Sequence, residues 1–505
     1  MYKLFPCFLL IILSTLTVFT ACGRDIEIVD SMHIDQTPDP SSFLTSEMPL
    51  YNDYIVTLEI DPYTRTVQGM SEINFTNRSD IPLDTIVMRV FLNAFQEHAL
   101  PRPYFENQIT RLSRPGWERG FGYMEIQYAS MNDETLEYRL DGTILTFILP
   151  EPLQPNVTVQ ILLQYNAYVP KLAHRIGGNN FAMWFGMFLP VLAVHGENGW
   201  HTDAYYPAGE PFFVETANYD VTITLPIRYV AVGTGVRTEE IIEDTDTRIT
   251  HFSAPMTRDF AFAVSPYFGH AHVATDSGID IHFYYHTSIL EADRILDVAR
   301  RSVEYFETRI GVPLFGQISI VEANLVSYSA SFSQVVFIDT RCALMDNLWC
   351  MAQGLGNQWF ANIIGTNRVK EPWLSNGLTQ FIQTGVFYET SEALRERIDQ
   401  EHAIIRSQTD LHLSEGLAIH TSHAHYTDTQ GRKAMTMLYA LQRLIGYENF
   451  GELIARYYYE FSYGIATTED FIRIANELSD GNLDFFFYHW MQMGTVPELP
   501  VVSAH

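Results

Sequence analysis

The sequence predicts a multidomain α+β protein, with an antiparallel β-sandwich followed by a mainly helical domain that carries one small sheet. Two textures along the chain carry that prediction. From Pro49 to about Gly269, short β-branched or alternating runs are separated by Gly, Asn and Pro, the pattern of an antiparallel sandwich. From about Asp280 the apolar spacing becomes helical, and beyond Leu344 nearly everything reads as helix. No internal repeat is visible.

Taken in order, residues 1–21 carry one charge, Lys3, and an apolar run, Phe8–Leu13, too short for a confident membrane span. This is the shape of a secretory signal peptide. Ala21-Cys22-Gly23 resembles a bacterial lipoprotein signal, which implies lipidation of Cys22 and a membrane-anchored, extracytoplasmic protein. Residues 22–48 are acidic, rich in Pro, Ser and Thr and without period, and read as a flexible stalk.

The sandwich is expected over 49–270. Tyr54–Ile60 is rich in β-branched residues, and Thr66–Thr76 follows a turn containing Pro62. Asp220–Leu225 alternates polar with apolar until Pro226 stops it, and Ile227–Val232 and Phe260–Val264 continue in the same style. The helical domain is expected over 271–505. There Ile295, Leu296, Ala299, Val303 and Phe306 form one stripe of a helix, and Ile318–Val321 is a strand.

The chain has 505 residues, 31 Lys+Arg against 60 Asp+Glu, and a net charge of −29. Such a surface repels phosphate, which excludes nucleic acid as a partner, and it lacks a polybasic membrane patch. Hydrophobic residues at 47% and aromatics at 13% support large cores. Cys7 leaves with the signal and Cys22 is lipidated, so Cys342 and Cys350 remain. On one continuous helix their Cα atoms would stand about 12 Å apart, too far to bridge. They are expected to be buried packing residues, with no disulfide.

The segment Met351-Ala352-Gln353-Gly354-Leu355-Gly356-Asn357-Gln358-Trp359-Phe360, followed by Glu371-Pro372-Trp373-Leu374-Ser375-Asn376-Gly377, resembles the active-site helices of the aminopeptidase N family of zinc metallopeptidases. Tyr205-Tyr206-Pro207, Arg258-Asp259-Phe260-Ala261 and the stretch Asn482–Gly494 match that family in the same order. The resemblance implies that the helical domain is thermolysin-like. It also implies a zinc site made of two His at i and i+4 and a later Glu, with a Glu beside the first His as general base.

Carried over by position, the two His are Gln353 and Asn357, the base is Gly354, and the third ligand is Asn376. Amide oxygens are poor substitutes for imidazole and carboxylate on zinc, and Gly354 can take no proton. The Glu that holds a substrate's amino terminus corresponds to Ser331. The transition-state Tyr corresponds to Gly431, counted back from Gly446, with Tyr426 nearby. Gln353 and Asn357 are expected to hydrogen-bond one another.

Two readings compete. In the first, a lipid-anchored envelope protein keeps the aminopeptidase scaffold without catalysis, needs no cofactor, and binds a peptide or a neighbouring envelope protein. In the second, it is an active metallo-aminopeptidase or another hydrolase that holds zinc through rearranged ligands, with His420, His423 and His425 as the candidates.

Overall fold

The structure, a computed structural model, describes residues 51–499 apart from 100–119 and short gaps at 207, 244–245, 288–289, 326, 347, 389 and 421. The signal segment 1–21, Cys22 and the stalk 22–48 lie outside the described residues. Among those described, no helix is long and apolar enough to cross a membrane.

Alternation in the first strand works as read. Tyr54, Val56, Leu58 and Ile60 are buried while Ile55, Thr57 and Glu59 face outward. The strand Asn52–Asp61 sits inside an eight-stranded sheet, between Ala217–Pro226 on one side and Thr66–Thr76 on the other. Its pairing with Ala217–Pro226 is parallel, Val56 opposite Val221, whereas its pairing with Thr66–Thr76 is antiparallel. The sandwich is therefore not wholly antiparallel. The long connection from residue 62 to 216 permits this, because parallel neighbours need a crossover rather than a tight turn. Two four-stranded sheets, one containing Leu83–Arg89 and the other Phe262–Ser265, share the same core, in which Leu58, Ile86, Phe147, Phe185 and Phe262 are buried.

The second domain is built on a five-stranded sheet: β1 (Gly269–Ala274), β2 (Asp280–Tyr285), β3 (Gln317–Ala323), β4 (Ser329–Phe332) and β5 (Val335–Asp339), in the order β1-β2-β3-β5-β4. A domain boundary at residue 270 would cut β1, whose full pairing with β2 assigns it to this sheet. β2–β3 and β3–β5 are parallel. Helix α1 (Ala292–Arg309) makes the crossover from β2 to β3 and buries the predicted stripe through Phe306.

The sheet separates the two cores. Val321, Ala323 and Phe337 point into the sandwich core, while Ile320, Val336 and Ile338 point into the helical one. Burial on both faces explains why β5 is buried at every position. The stretch at Arg258 fastens the domains. Its guanidinium donates to the carbonyls of Val214 at 3.2 Å and Ile363 at 2.9 Å, and Asp259 accepts the Ser333 N–H at 3.0 Å.

Helix α2 (Trp349–Asn357) runs on through a wide turn at Gln358–Ile363. It is followed by α3 (Trp373–Phe387), α4 (Ser391–Ile405) and α5 (Ala434–Ile445), the last preceded by a wide turn at Thr427–Lys433.

The cysteine expectation is overturned: Cys342 and Cys350 form a disulfide, with Cα atoms 6.1 Å apart. They do not share one helix. Cys342 lies on the single turn Thr340–Ala343, the chain then reverses, and Leu348 adopts a left-handed conformation (φ 50°) just before α2. That reversal halves the separation a continuous helix would impose.

Candidate functional site

Residues four apart on a helix share one face, so Gln353 and Asn357 both point from α2 towards α3. There each finds a partner on the neighbouring helix instead of the other. Gln353 Nε2 donates to Asn376 Oδ1 at 3.4 Å, and the Thr379 hydroxyl donates to Asn357 Oδ1 at 2.9 Å. The expected Gln353–Asn357 bond is replaced by two rungs across the helix pair, because Asn376 and Thr379 are themselves about one turn apart on α3. Asn376 Nδ2 in turn donates to the hydroxyl of Tyr426.

The other two positions are tied down as well. A Cβ at Gly354 would stand 2.5 Å from Val336 Cγ1, so α2 lies directly on β5 and has no room there for a side chain. At Gly356 a Cβ would meet Phe306 at 2.7 Å and Thr379 at 2.8 Å, which locks α2 against α1 and α3. The Ser331 hydroxyl donates to the carbonyl of Gly354 at 2.8 Å and accepts from Gln358 Nε2 at 3.0 Å and Asn362 Nδ2 at 3.3 Å. It is buried and fully used as a tie between β4 and α2.

These groups floor a cleft of about 490 Å³ between the domains, lined among others by Gln353, Asn357, Asn376, Ser331 and Tyr426. Arg175 and Glu210 reach it from the sandwich, and Arg397, Glu401 and Arg432 from the helices. Glu401 accepts from Arg432 Nε at 2.5 Å and also pairs with Arg397, whose guanidinium lies over the Trp349 ring at 5.5 Å. Glu210 is paired with Arg368. Burial pushes the Tyr426 hydroxyl up to about 12, against the pull of Arg368 and Arg175, so it is neutral and able to donate at pH 7.

Gly431 is buried behind this floor, where a Cβ would meet the Gln380 amide at 2.4 Å. The tyrosine that reaches the cleft is Tyr426. Counting back along the helix misses it because the wide turn at Thr427–Lys433 changes the phase between the two positions. The lining cations Arg397 and Arg432 were also not singled out, since charged helix faces are ordinarily solvated.

The three candidate histidines are placed apart in role. His420 Nδ1 faces His425 Nδ1 at 3.3 Å, and His425 Nε2 is 3.2 Å from the carbonyl of Asp410. His423 lies against Tyr426, ring centroids 6.2 Å apart, and lines the cleft. They do not converge on one point. Burial, aided by His425, pushes His420 down to about 4, so it is neutral at pH 7.

Zinc, which the family resemblance implies, is poorly matched by this floor. Its donors at Gln353, Asn357 and Asn376 are amides, two of them already engaged with each other, and Gly354 offers no base.

The comparisons agree on one family. Residues 345–490 match the description "Peptidase family M1 domain". Aminopeptidase M1-C of Oryza sativa subsp. japonica is 22% identical over 325 residues, covering 58% of this chain and 36% of that protein. Aminopeptidase N of Lactococcus lactis subsp. lactis is 21% identical over 236 residues, covering 42% and 27%. The aligned region thus spans about a third of the length of these relatives. The crystal structure of an M1 zinc metallopeptidase from Deinococcus radiodurans superposes with a TM-score of 0.66 at 15% identity, covering 89% of this chain and 96% of that one. A two-domain M1 zinc metallopeptidase variant bound to L-arginine gives a TM-score of 0.68 with the same coverage. With its two domains in the same order and residues 345–490 matched, this chain has the two-domain fold of the M1 metallopeptidases and resembles the aminopeptidase N, or M1, family.

Proposed function

We propose that this protein is a non-catalytic member of its family, anchored at the cell envelope through a lipid on Cys22, that uses the interdomain cleft to bind a peptide segment or a neighbouring envelope protein. The observation that carries the reading is the amide floor. Where a zinc peptidase needs imidazoles, a carboxylate and a general base, this chain sets Gln353, Asn357, Asn376 and Gly354, with Gln353 bonded to Asn376 and Asn357 to Thr379. Amides donate and accept together, which suits the alternating N–H and C=O groups of an extended peptide. A cleft of about 490 Å³ has the size of a small-ligand site rather than of a packing defect. The Cys342–Cys350 disulfide supports an extracytoplasmic address, because such bonds persist in oxidising compartments.

The test is hydrolysis. Purified protein is assayed against a panel of amino-acid anilides with and without a strong chelator. No chelator-sensitive turnover is expected, and robust turnover abolished by chelation would overturn the reading. Binding is read in parallel by fluorescence anisotropy of labelled peptides, with Asn376→Leu expected to weaken any that bind.

A further inference from the structure

The hairpin β1–β2 carries a second cluster of chemistry, at the edge of the sheet on the face turned towards the sandwich, and outside the cleft. Strand alternation puts Ala271 and Val273 of β1 against the helical core, and Ile281 and Phe283 of β2 within it. The same alternation sets His270 and His272 of β1, and Asp280, His282 and Tyr284 of β2, on the opposite face, where Tyr284 packs against the sandwich core and His270 and His272 are exposed. The register sets His272 directly opposite His282. His272 Nδ1 lies 2.9 Å from Asp280 Oδ1, and His282 Nε2 lies 3.4 Å from Asp280 Oδ2. One donor atom from each of the three residues falls within 4.8 Å of the others.

We propose that His272, Asp280 and His282 form a binding site for a divalent transition-metal ion of the zinc class. In a tetrahedral zinc site the donors stand about 3.4 Å apart, close to the two contacts already present. An ordinary ion pair needs one imidazole for one carboxylate; here two imidazoles converge on the same carboxylate. A third histidine supports them from behind. His270 Nε2 lies 3.0 Å from His282 Nδ1, and a proton carried on His282 Nδ1 and donated to His270 Nε2 would leave the His282 Nε2 lone pair free for the ion. Such outer partners fix the tautomer and orientation of a metal-binding imidazole. His272 and Asp280 are 59% and 39% exposed, so an ion and a completing water have open access, while His282 is 18% exposed and held in place. Arg237, the cation that acts on His270 and His282, is itself paired with Glu240 at 3.2 Å. β1 is an edge strand, and the ion would clip it to β2.

The experiment uses the purified full chain, stripped with chelator and dialysed, then titrated with zinc by calorimetry and with cobalt by visible absorption. One equivalent of zinc and a tetrahedral cobalt spectrum are expected. His272→Ala and His282→Ala should each weaken zinc at least tenfold, and His270→Ala about tenfold through the lost support. His270 and His272 are exposed and His282 is partly buried, so an unchanged circular dichroism spectrum and unfolding midpoint serve as the folding control. Zinc binding that is absent in wild type, or unaltered in His272→Ala and His282→Ala, overturns the proposal. So does binding lost only on Asn357→Ala, which would put the ion in the cleft. None of these outcomes depends on whether the cleft is catalytic.

Discussion

Gln353 Nε2 donates to Asn376 Oδ1 across 3.4 Å, joining α2 to α3 at the two positions where the family resemblance would set a histidine and a glutamate on one zinc ion. A metal-mediated link between two helices is here a direct amide contact. The Thr379 hydroxyl adds a second tie between the same helices at Asn357.

Restoring the four letters Gln353→His, Gly354→Glu, Asn357→His and Asn376→Glu should regenerate zinc affinity but at a cost in stability. The Cβ at position 354 would stand 2.5 Å from Val336 Cγ1, and overpacking of this kind costs about 1–3 kcal/mol. Adding Val336→Ala should recover part of the loss in thermal unfolding. Zinc uptake is measured in a His272→Ala background so that the hairpin is not counted, and no uptake there would mean that the pocket geometry has also drifted.

Tyr426→Phe removes the hydroxyl that accepts from Asn376 Nδ2 and leaves that amide short of a partner. A destabilisation of about 1 kcal/mol is expected by denaturant titration. Asn376→Asp, which could still accept from the neutral Tyr426 hydroxyl, should be milder. Equal stability of Tyr426→Phe and wild type would show that the contact carries no net energy.

Cys342 and Cys350 close a short loop at the mouth of α2. Replacing both with Ser should cost about 2–3 kcal/mol through the freed unfolded chain. Unreduced protein unfolded in denaturant should show neither of these two thiols to Ellman's reagent. Titration of both would remove the bridge from this account.

His420 titrates near 4 when folded, against about 6.5 in the unfolded chain, first because it is buried and then because of His425. Between those values the unfolded state binds the extra proton, so stability is fully present above pH 6.5 and falls as pH drops towards 4. The slope from this one group is at most about 1.4 kcal/mol per pH unit. Unfolding of His420→Gln from pH 7 to 4.5 should show a correspondingly flatter dependence than wild type. Parallel curves would reject the assignment.

How far the sequence reached differs by level. Period alone located Asn52–Asp61, Thr66–Thr76 and α1 close to their observed bounds, because alternation and the helical stripe report which side chains are buried. The order of residues around Gln353 and Trp373 was enough to suggest the family that the comparisons support. Those signals are local, and they survive any arrangement of the connecting loops.

Contacts between distant segments are a different matter. Whether Asn357 would bond to Gln353 or to Thr379 depended on how α3 lies beside α2, and the choice of Tyr426 over Gly431 depended on a wide turn that no period announces. Cys342 and Cys350 were misread because the chain reverses between them, a matter of a few backbone torsions near Leu348. His272, Asp280 and His282 looked unremarkable in the sequence, and strand register alone faces them across the hairpin. Composition and period thus determined the domains and their cores, since burial averages over many residues. Tertiary structure decided every pairing at the cleft and the hairpin, since a hydrogen bond or a ligand contact is won or lost over about 1 Å.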